Sequence, residues 1–215
     1  MNRWISKVVT VASVVGALAV GAGGVALADP QGEGEHGGHP RRHPEGLVHA
    51  ALGLGSIRAE QRAELEQLAA ARKAAHGPVR QANAVVLTRL AHQVEQDHID
   101  RAGLADSLGA EQSAAGVARN VEVNTLVRLH LVLSAAQRNE LVDGLEARLP
   151  PDGPRRTELE SFRGETFDAG AMVKAHVPGE HAIAMAERRV PGMTPQQRAE
   201  LAGQLRERAA RDARD

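Results

Sequence analysis

Two stretches of the chain share an order of residues that predicts the start of a helix: LSAAQRNEL at 133–141 and MTPQQRAEL at 193–201. In each, an apolar residue precedes Ser134 or Thr194, and a glutamine, Gln137 or Gln197, follows three positions later. A hydroxyl at the N-cap accepts a hydrogen bond from the N3 backbone N–H, while the N3 glutamine reaches back to the N-cap N–H, which together form a capping box. Pro195 fits the first helical position, because its missing N–H would have no partner there. Ser134 and Thr194 are therefore expected to cap helices.

The pentapeptide Gln-Arg-x-Glu-Leu is longer than a capping box requires, and it occurs three times. Its copies occupy residues 61–65, 137–141 and 197–201. A single capping box indicates only that a helix begins, but three copies with the same extension indicate an internal repeat of one helical unit. Gln61 of the first copy is accordingly expected at the start of a helix, with Ser56 as a candidate cap.

Outside the motif copies, apolar residues recur at steps of three and four, which is typical of amphipathic helices. Such stripes cover 65–75, 79–94, 123–131 and 141–149, and two further helices are predicted at about 166–189 and 195–213. Gly77-Pro78 predicts a turn or kink, and Pro178-Gly179 predicts a kink. Since no segment alternates with period two over strand length, the chain is predicted to be all-α, with antiparallel helical hairpins followed by an extra C-terminal helical pair.

The first 28 residues are typical of an export signal. Arg3 and Lys7 precede an uncharged apolar run that ends in Ala26-Leu27-Ala28, the small-x-small pattern of a cleavage site. We expect cleavage after Ala28 and a periplasmic protein; an uncleaved membrane anchor is the alternative. Composition and Pro-rich breaks then suggest the following division: 1–28 signal peptide, 29–47 disordered His/Gly/Pro-rich arm, 48–149 helical domain, 150–156 linker and 157–215 C-terminal helical repeat unit.

Composition excludes several functional classes. Loss of Arg3 and Lys7 leaves 24 of the 26 basic residues against 27 acidic ones, a formal charge of −3, which gives no reason to expect a phosphate-backbone partner. Phe162 and Phe167 are the only aromatic residues of the predicted mature chain, so it cannot build a base-stacking surface and no nucleic acid is expected. Absence of Cys excludes thiolate chemistry, and no nucleophile elbow, H-E-x-x-H or phosphate loop occurs. The sequence predicts no enzymatic activity.

The three motif copies resemble the LTxxQ motif of a periplasmic family that includes the Spy and CpxP chaperones and related heavy-metal sensor and resistance proteins. The resemblance covers most of 48–149 and recurs in shortened form over 157–215. It implies a four-helix, hook-like unit that forms a homodimer and binds unfolded periplasmic proteins without nucleotide. The first copy departs from the motif, because Ile57-Arg58 stands where Leu-Thr is expected. The alternative implied by the resemblance is a metal-binding protein that reports to a membrane-bound sensor or regulator.

Histidines provide the candidate metal ligands. His36, His39, His43 and His49 lie in or beside the N-terminal arm, and imidazole suits Zn, Ni or Cu; the alternative is a soluble tail, and no cofactor is required. The sensing relatives use a His and a Met one helical turn apart, which His181 and Met185 match, although Met185 also suits a core position. The sequence therefore leaves two hypotheses open, a client-binding chaperone and a metal sensor.

Overall fold

The computed structural model describes residues 45–147 and 155–214, and every regular element within these ranges is helical. The α-helices are α1 (Glu45–Leu52), α2 (Ala59–Glu95), α3 (Ala105–Val132), α4 (Ala135–Glu146), α5 (Arg155–Arg163), α6 (Ala169–Met172), α7 (Pro178–Arg189) and α8 (Pro195–Asp212). Short 3₁₀ turns at Ala102–Leu104 and Val190–Gly192 precede α3 and follow α7. The prediction of an all-α chain is confirmed for these residues.

Helices α2 and α3 form a long antiparallel hairpin. The 37 residues of α2 extend over about 55 Å. Glu64 near the start of α2 pairs with Arg128 near the end of α3, and Arg72 further along α2 pairs with Glu122. The residue numbers of the ion-pair partners decrease along α3 as they increase along α2. The two helices are therefore antiparallel, as the sequence predicted.

Gly77-Pro78 predicts a turn or a kink. The turn is wrong, because α2 continues through both residues. Pro78 lacks the N–H that would bond to the preceding turn. Its ring is exposed, while the neighbouring Val79 is buried against Ala115 and Ala118 of α3. Packing of α2 against α3 on this side outweighs the loss of one backbone hydrogen bond.

Pro178 starts a helix and does not kink one, which corrects the predicted helix over 166–189. Within that range α6 ends at Met172, and α7 begins with Pro178 at its first position. The first N–H groups of a helix have no intrahelical acceptor, so a proline costs little there. The predicted arm also ends earlier than 47, since α1 begins at Glu45 and both Leu47 and Val48 are buried.

The predicted signal peptide with its cleavage after Ala28, most of the arm, and the Pro-rich part of the 150–156 linker lie outside the described residues. The linker's last two residues, 155 and 156, are the first residues of α5.

The buried apolar residues form two main cores along the α2–α3 hairpin. One, here called the motif core, contains two motif leucines, Leu65 and Leu141, with side chains from α1 and α3–α6. The other, the tail core, combines the second half of α2 with the start of α3, α7 and α8. Leu87 and Leu90 of α2 thus pack with Ile183 and Leu205. The division of the chain predicted at 150–156 does not coincide with a division of the core, because residues from both sides share each one.

Candidate functional site

Both predicted capping boxes are present. The Ser134 hydroxyl accepts a hydrogen bond from the Gln137 backbone N–H at 3.3 Å, and the Gln137 side-chain oxygen accepts from the Ser134 N–H at 2.9 Å. Thr194 and Gln197 repeat the arrangement at 3.3 and 2.9 Å. Ser134 begins α4 and Thr194 begins α8, so the predicted role of these four residues is confirmed.

The first motif copy begins α2 without a hydroxyl cap. Arg58 occupies the N-cap position, and its backbone N–H donates to the Gln61 side-chain oxygen at 3.0 Å. Ser56 does not replace the missing cap, because its hydroxyl donates to Glu140 on α4 at 2.6 Å. The first copy therefore retains the glutamine half of the box and lacks the hydroxyl half.

Gln61 and Gln137, from motif copies 76 residues apart, form a reciprocal pair. Each side-chain amide donates to the other's oxygen, at 3.0 and 3.1 Å. Each also donates to a backbone carbonyl two positions before the other helix's N-cap: Gln61 to Val132 at 2.6 Å and Gln137 to Ser56 at 2.8 Å. The two copies are thus related by an approximate local two-fold. Sequence reasoning assigned each glutamine a local role and missed the long-range contact.

The motif arginine has a role that the sequence analysis did not assign. Arg138 donates to the carbonyl of Leu133, at 3.0 Å, and Arg198 donates to that of Met193, at 2.8 Å. Both carbonyls belong to the residue immediately before the N-cap, so the arginine secures the chain as it enters the helix. Arg62 of the first copy instead donates to Leu52 at the end of α1, at 3.0 Å. In the second and third copies the arginine follows the apolar residue before the N-cap at the same spacing. That repeated spacing was the sequence signal for this contact.

An exposed stripe on α3 ends beside the glutamine pair. This α3 stripe consists of Val117, Val121, Asn124, Arg128 and Leu131, of which Val121 is half-buried and the others are exposed. Their spacing of four and three places them on one helix face. Val117 is 61% exposed and Leu131 is 67% exposed. Leu131 and Arg128 line a shallow depression with Gln61, Glu64 and Arg58. Apolar side chains flanked by charged groups are therefore accessible along one side of the hairpin.

Charged side chains are also buried within the hairpin. Glu122 on α3 pairs with Arg72, and its carboxylate lies 3.7 Å from His76 Nε2. Burial acts to raise the pKa of Glu122, but the nearby His76 ring and the hydrogen bond and ion pair from Arg72 outweigh it and lower that pKa. Glu122 is therefore held ionised, and the pair ties α2 to α3.

Glu111 on α3 is a buried carboxyl group with a different environment. One oxygen accepts a hydrogen bond from the Gly179 N–H, in the first turn of α7, at 3.0 Å, while the other has no hydrogen-bond partner among the described residues. Burial raises the pKa of this carboxyl, and the Gly179 hydrogen bond partly opposes it. Glu111 links α3 to α7 inside the molecule and has no access to a ligand from solvent.

Three of the six candidate metal ligands fall within the described residues. His36, His39 and His43 lie outside them. His49 is exposed on α1, and on α7 His181 is exposed while Met185 is half-buried. Within residues 45–147 and 155–214, no three His, Cys, Asp or Glu side chains converge to hold an ion. The structure brings His181 and Met185 onto one helix but does not join His49 to them in a ligand group.

One further histidine is buried, and the structure accounts for it. The His130 ring contacts Phe162 edge-on at 5.3 Å and stacks on Phe167 at 5.2 Å, and its Nε2 lies 2.9 Å from the Gly164 carbonyl. Phe162 is fully buried in the motif core. His130 therefore packs the core and is not a candidate ligand.

Comparison with protein-family models, with curated proteins and with solved structures finds no match. Among the described residues, no helix is both long and apolar enough to cross a bilayer. Function is therefore inferred from the motif copies and from the surfaces described above.

Proposed function

We propose that this chain is an exported, periplasmic stress protein of the Spy/CpxP type that binds unfolded proteins without nucleotide. The observation that carries the proposal is the α3 stripe, with Val117 and Leu131 each exposed by more than 60%. Isolated exposed apolar residues are ordinary. Val117 and Leu131, however, share one helix face with the half-buried Val121, and apolar side chains aligned in this way suit a binding surface. The resemblance of the motif copies to the LTxxQ motif supports the same function.

The free energy gained by burying the α3 stripe against a client suits reversible binding. Burying one Val or Leu side chain contributes about 1.5–3 kcal/mol, and part of that gain is lost in ordering a flexible client. Contacts with Val117, Val121 and Leu131 would then give weak binding that is released without an energy source. Arg128 and Glu64, which form an ion pair beside Leu131, would add contacts to polar groups of the client.

The test measures light scattering from a chemically denatured client as it aggregates, with no nucleotide present. We expect the chain to suppress scattering at near-stoichiometric ratio. The double variant Val117→Ser with Leu131→Ser should lose most of the effect, because both side chains are exposed and their loss removes binding area without opening a cavity. Asn120→Ser is the matched control, since it changes an exposed residue of α3 that offers no apolar area. Equal activity of the double variant and the control would refute the role of the stripe.

Partners and location belong to the same proposal. A homodimer is expected, and light scattering coupled to size-exclusion chromatography measures it directly. Expression in a Gram-negative host should give a periplasmic chain whose mass begins at Asp29. Recovery of the uncleaved chain from the inner membrane would contradict this.

Metal titration separates the chaperone proposal from the sensor alternative. Any binding of Ni, Cu or Zn is expected to depend mainly on the arm, so joint replacement of His36, His39 and His43 by Ala should remove most of it. If binding instead survives that change and is lost in His181→Ala, the site lies on α7 beside Met185. That result, together with absence of aggregation suppression, would favour the sensor.

A further inference from the structure

The third motif copy exposes the surface that the first two copies bury. Gln61 is 6% exposed and Gln137 is 7% exposed, and the two side chains are hydrogen-bonded to each other. Gln197 begins α8 with the same capping box, yet its side chain is exposed. Helix α8 packs on α2 further along its length, and residues 194–197 at its start are all exposed. The start of α8 therefore presents a complete motif copy at the surface.

The buried pair shows how two motif copies bind each other. Four hydrogen bonds connect them, two from amide to amide and two from amide to the carbonyl two positions before the opposite N-cap. All four are made by the two glutamine side chains and two backbone carbonyls, so each copy contributes only its own residues. The bonds are reciprocal, and reciprocal contacts about a two-fold axis also form the interface of a symmetric homodimer.

The third copy contains each group that the buried pair uses. The Gln197 side-chain oxygen accepts a hydrogen bond from the Thr194 N–H at 2.9 Å, as its counterparts do in the other copies. The carbonyl two positions before the N-cap belongs to Gly192, which is exposed. A Cβ at Gly192 would meet nothing within 4 Å, so another chain can approach the backbone there. Pro195 does not block this approach, because Ala135 at the same position of the second copy is exposed and lies outside the buried contact.

We propose that the third motif copy binds the third motif copy of a second molecule of this chain, in the two-fold arrangement of the buried pair. Each Gln197 amide then donates to the Gln197 oxygen and to the Gly192 carbonyl of the other molecule. Two helix starts form a small contact beside the about 1,200 Å² of a stable interface, so the dimer is weak and its population depends on protein concentration. This interface belongs to the homodimer expected above and so rests on the proposed function.

Analytical ultracentrifugation of the full chain over a range of concentrations measures the dimerisation constant, with no client present. The test variant is Gln197→Glu. A glutamate at N3 keeps the capping box with Thr194, but it has no amide to donate, and two carboxylates would meet across the two-fold axis. The matched control is Gln196→Glu, which adds the same charge one residue earlier. The first copy has Glu60 at that position, where it is exposed and lies outside the buried contact.

We expect Gln197→Glu to weaken dimerisation by about tenfold or more, the effect of leaving a polar group of the contact without its partner. Gln196→Glu should change it by less than about twofold, the scale of a screened charge outside the contact. The double variant Val117→Ser with Leu131→Ser should dimerise as the wild type does, so loss of the dimer and loss of client binding are separate results. Circular dichroism checks that every variant keeps its helices.

Three outcomes would each overturn the proposal. A wild type that stays monomeric would show that the third copy does not bind a second molecule. Equal effects of the two glutamate variants would show that net charge, and not the Gln197 amide, governs association. A dimer that only the double variant of the α3 stripe disrupts would place the interface on that stripe.

Discussion

Single side chains show how one motif serves two structural roles. Each glutamine of the repeat reaches back to its own N-cap, and this local role follows from a spacing of three residues in the sequence. Gln61 and Gln137 additionally bind each other and are buried, whereas Gln197 in the third copy is exposed. The pairing depends on how α2 and α4 meet, which no local pattern specifies.

The three copies therefore predict an unequal response to the same substitution. Gln61→Ala or Gln137→Ala should lower the free energy of unfolding by about 2–3 kcal/mol, because each leaves buried polar partners unsatisfied. Gln197→Ala should cost about 1 kcal/mol or less, since water can replace its hydrogen bonds. Urea denaturation measures all three. The double variant of Gln61 and Gln137 should cost less than the sum of the single changes. Equal costs for all three copies would contradict the buried pair.

Two buried carboxyls predict opposite dependences of stability on pH. The pKa of Glu111 is raised above its ordinary value of 4.5, so its contribution to stability is fully present below pH 4.5 and is lost as pH rises through the folded-state pKa. The pKa of Glu122 is lowered, so its contribution is present above pH 4.5 and is lost as pH falls through its folded-state pKa.

Comparison with the glutamine variants isolates each contribution. The stability of the wild type minus that of Glu111→Gln should decrease as pH rises above 4.5, and the corresponding difference for Glu122→Gln should decrease as pH falls below 4.5. At pH 7, Glu122→Gln should cost about 3 kcal/mol, because it leaves Arg72 buried beside a neutral partner. Denaturation at several pH values measures both curves, and two differences with the same slope would disprove these assignments.

At the scale of helices, the sequence predicted where helices are capped, but it did not predict where a helix continues or ends. Ser134 and Thr194 were placed correctly because an N-cap is decided within four residues. Gly77-Pro78 predicted a turn or a kink by the same local logic, yet α2 continues, since its neighbours on α3 bury Val79. Pro178-Gly179 likewise predicts a kink, although Pro178 begins a helix, because α6 ends before it at Met172. Local sequence therefore identified helix starts better than helix lengths.

Gly77 and Gly179 lie at the two predicted breaks. Replacing each by alanine should have opposite effects on the stability of the protein. A Cβ at Gly77 would meet nothing within 4 Å, so Gly77→Ala should stabilise the protein by about 1 kcal/mol through helix propensity. A Cβ at Gly179 would lie 2.2 Å from Glu111 Oε2 and 2.8 Å from Val86 Cγ1, so Gly179→Ala should destabilise it. Thermal and urea denaturation compare the pair. A destabilising Gly77→Ala would show that α2 requires glycine at this position.

At the scale of the molecule, the helices that begin at the three motif copies belong to one packed unit. The third motif copy begins α8, which packs on the second half of α2. The first motif copy lies at the start of the same helix. Residues after 155 supply Ile183, Val190 and Leu205 to the tail core and Phe162 to the motif core. The sequence predicted a separate C-terminal unit because the Pro-rich run at 150–154 is a strong break. It could not show that the chain after the break returns to α2.

This shared packing predicts that a chain truncated after Leu149 will not fold cooperatively. Truncation removes six of the fourteen buried residues of the tail core, and it exposes Leu87, Leu90 and Val94 of α2. Burial of that apolar surface contributes most of the local stability, at roughly 25 cal/mol for each Å². Circular dichroism should therefore show a broad, early thermal transition for the truncated chain, where the full chain gives a single sharp one. Hydrogen exchange should locate the loss of protection in α2 after Val79. If the truncated chain instead kept a sharp transition and a protected α2, residues 45–147 would be a domain that folds alone, and the helices after the break would be an addition to it.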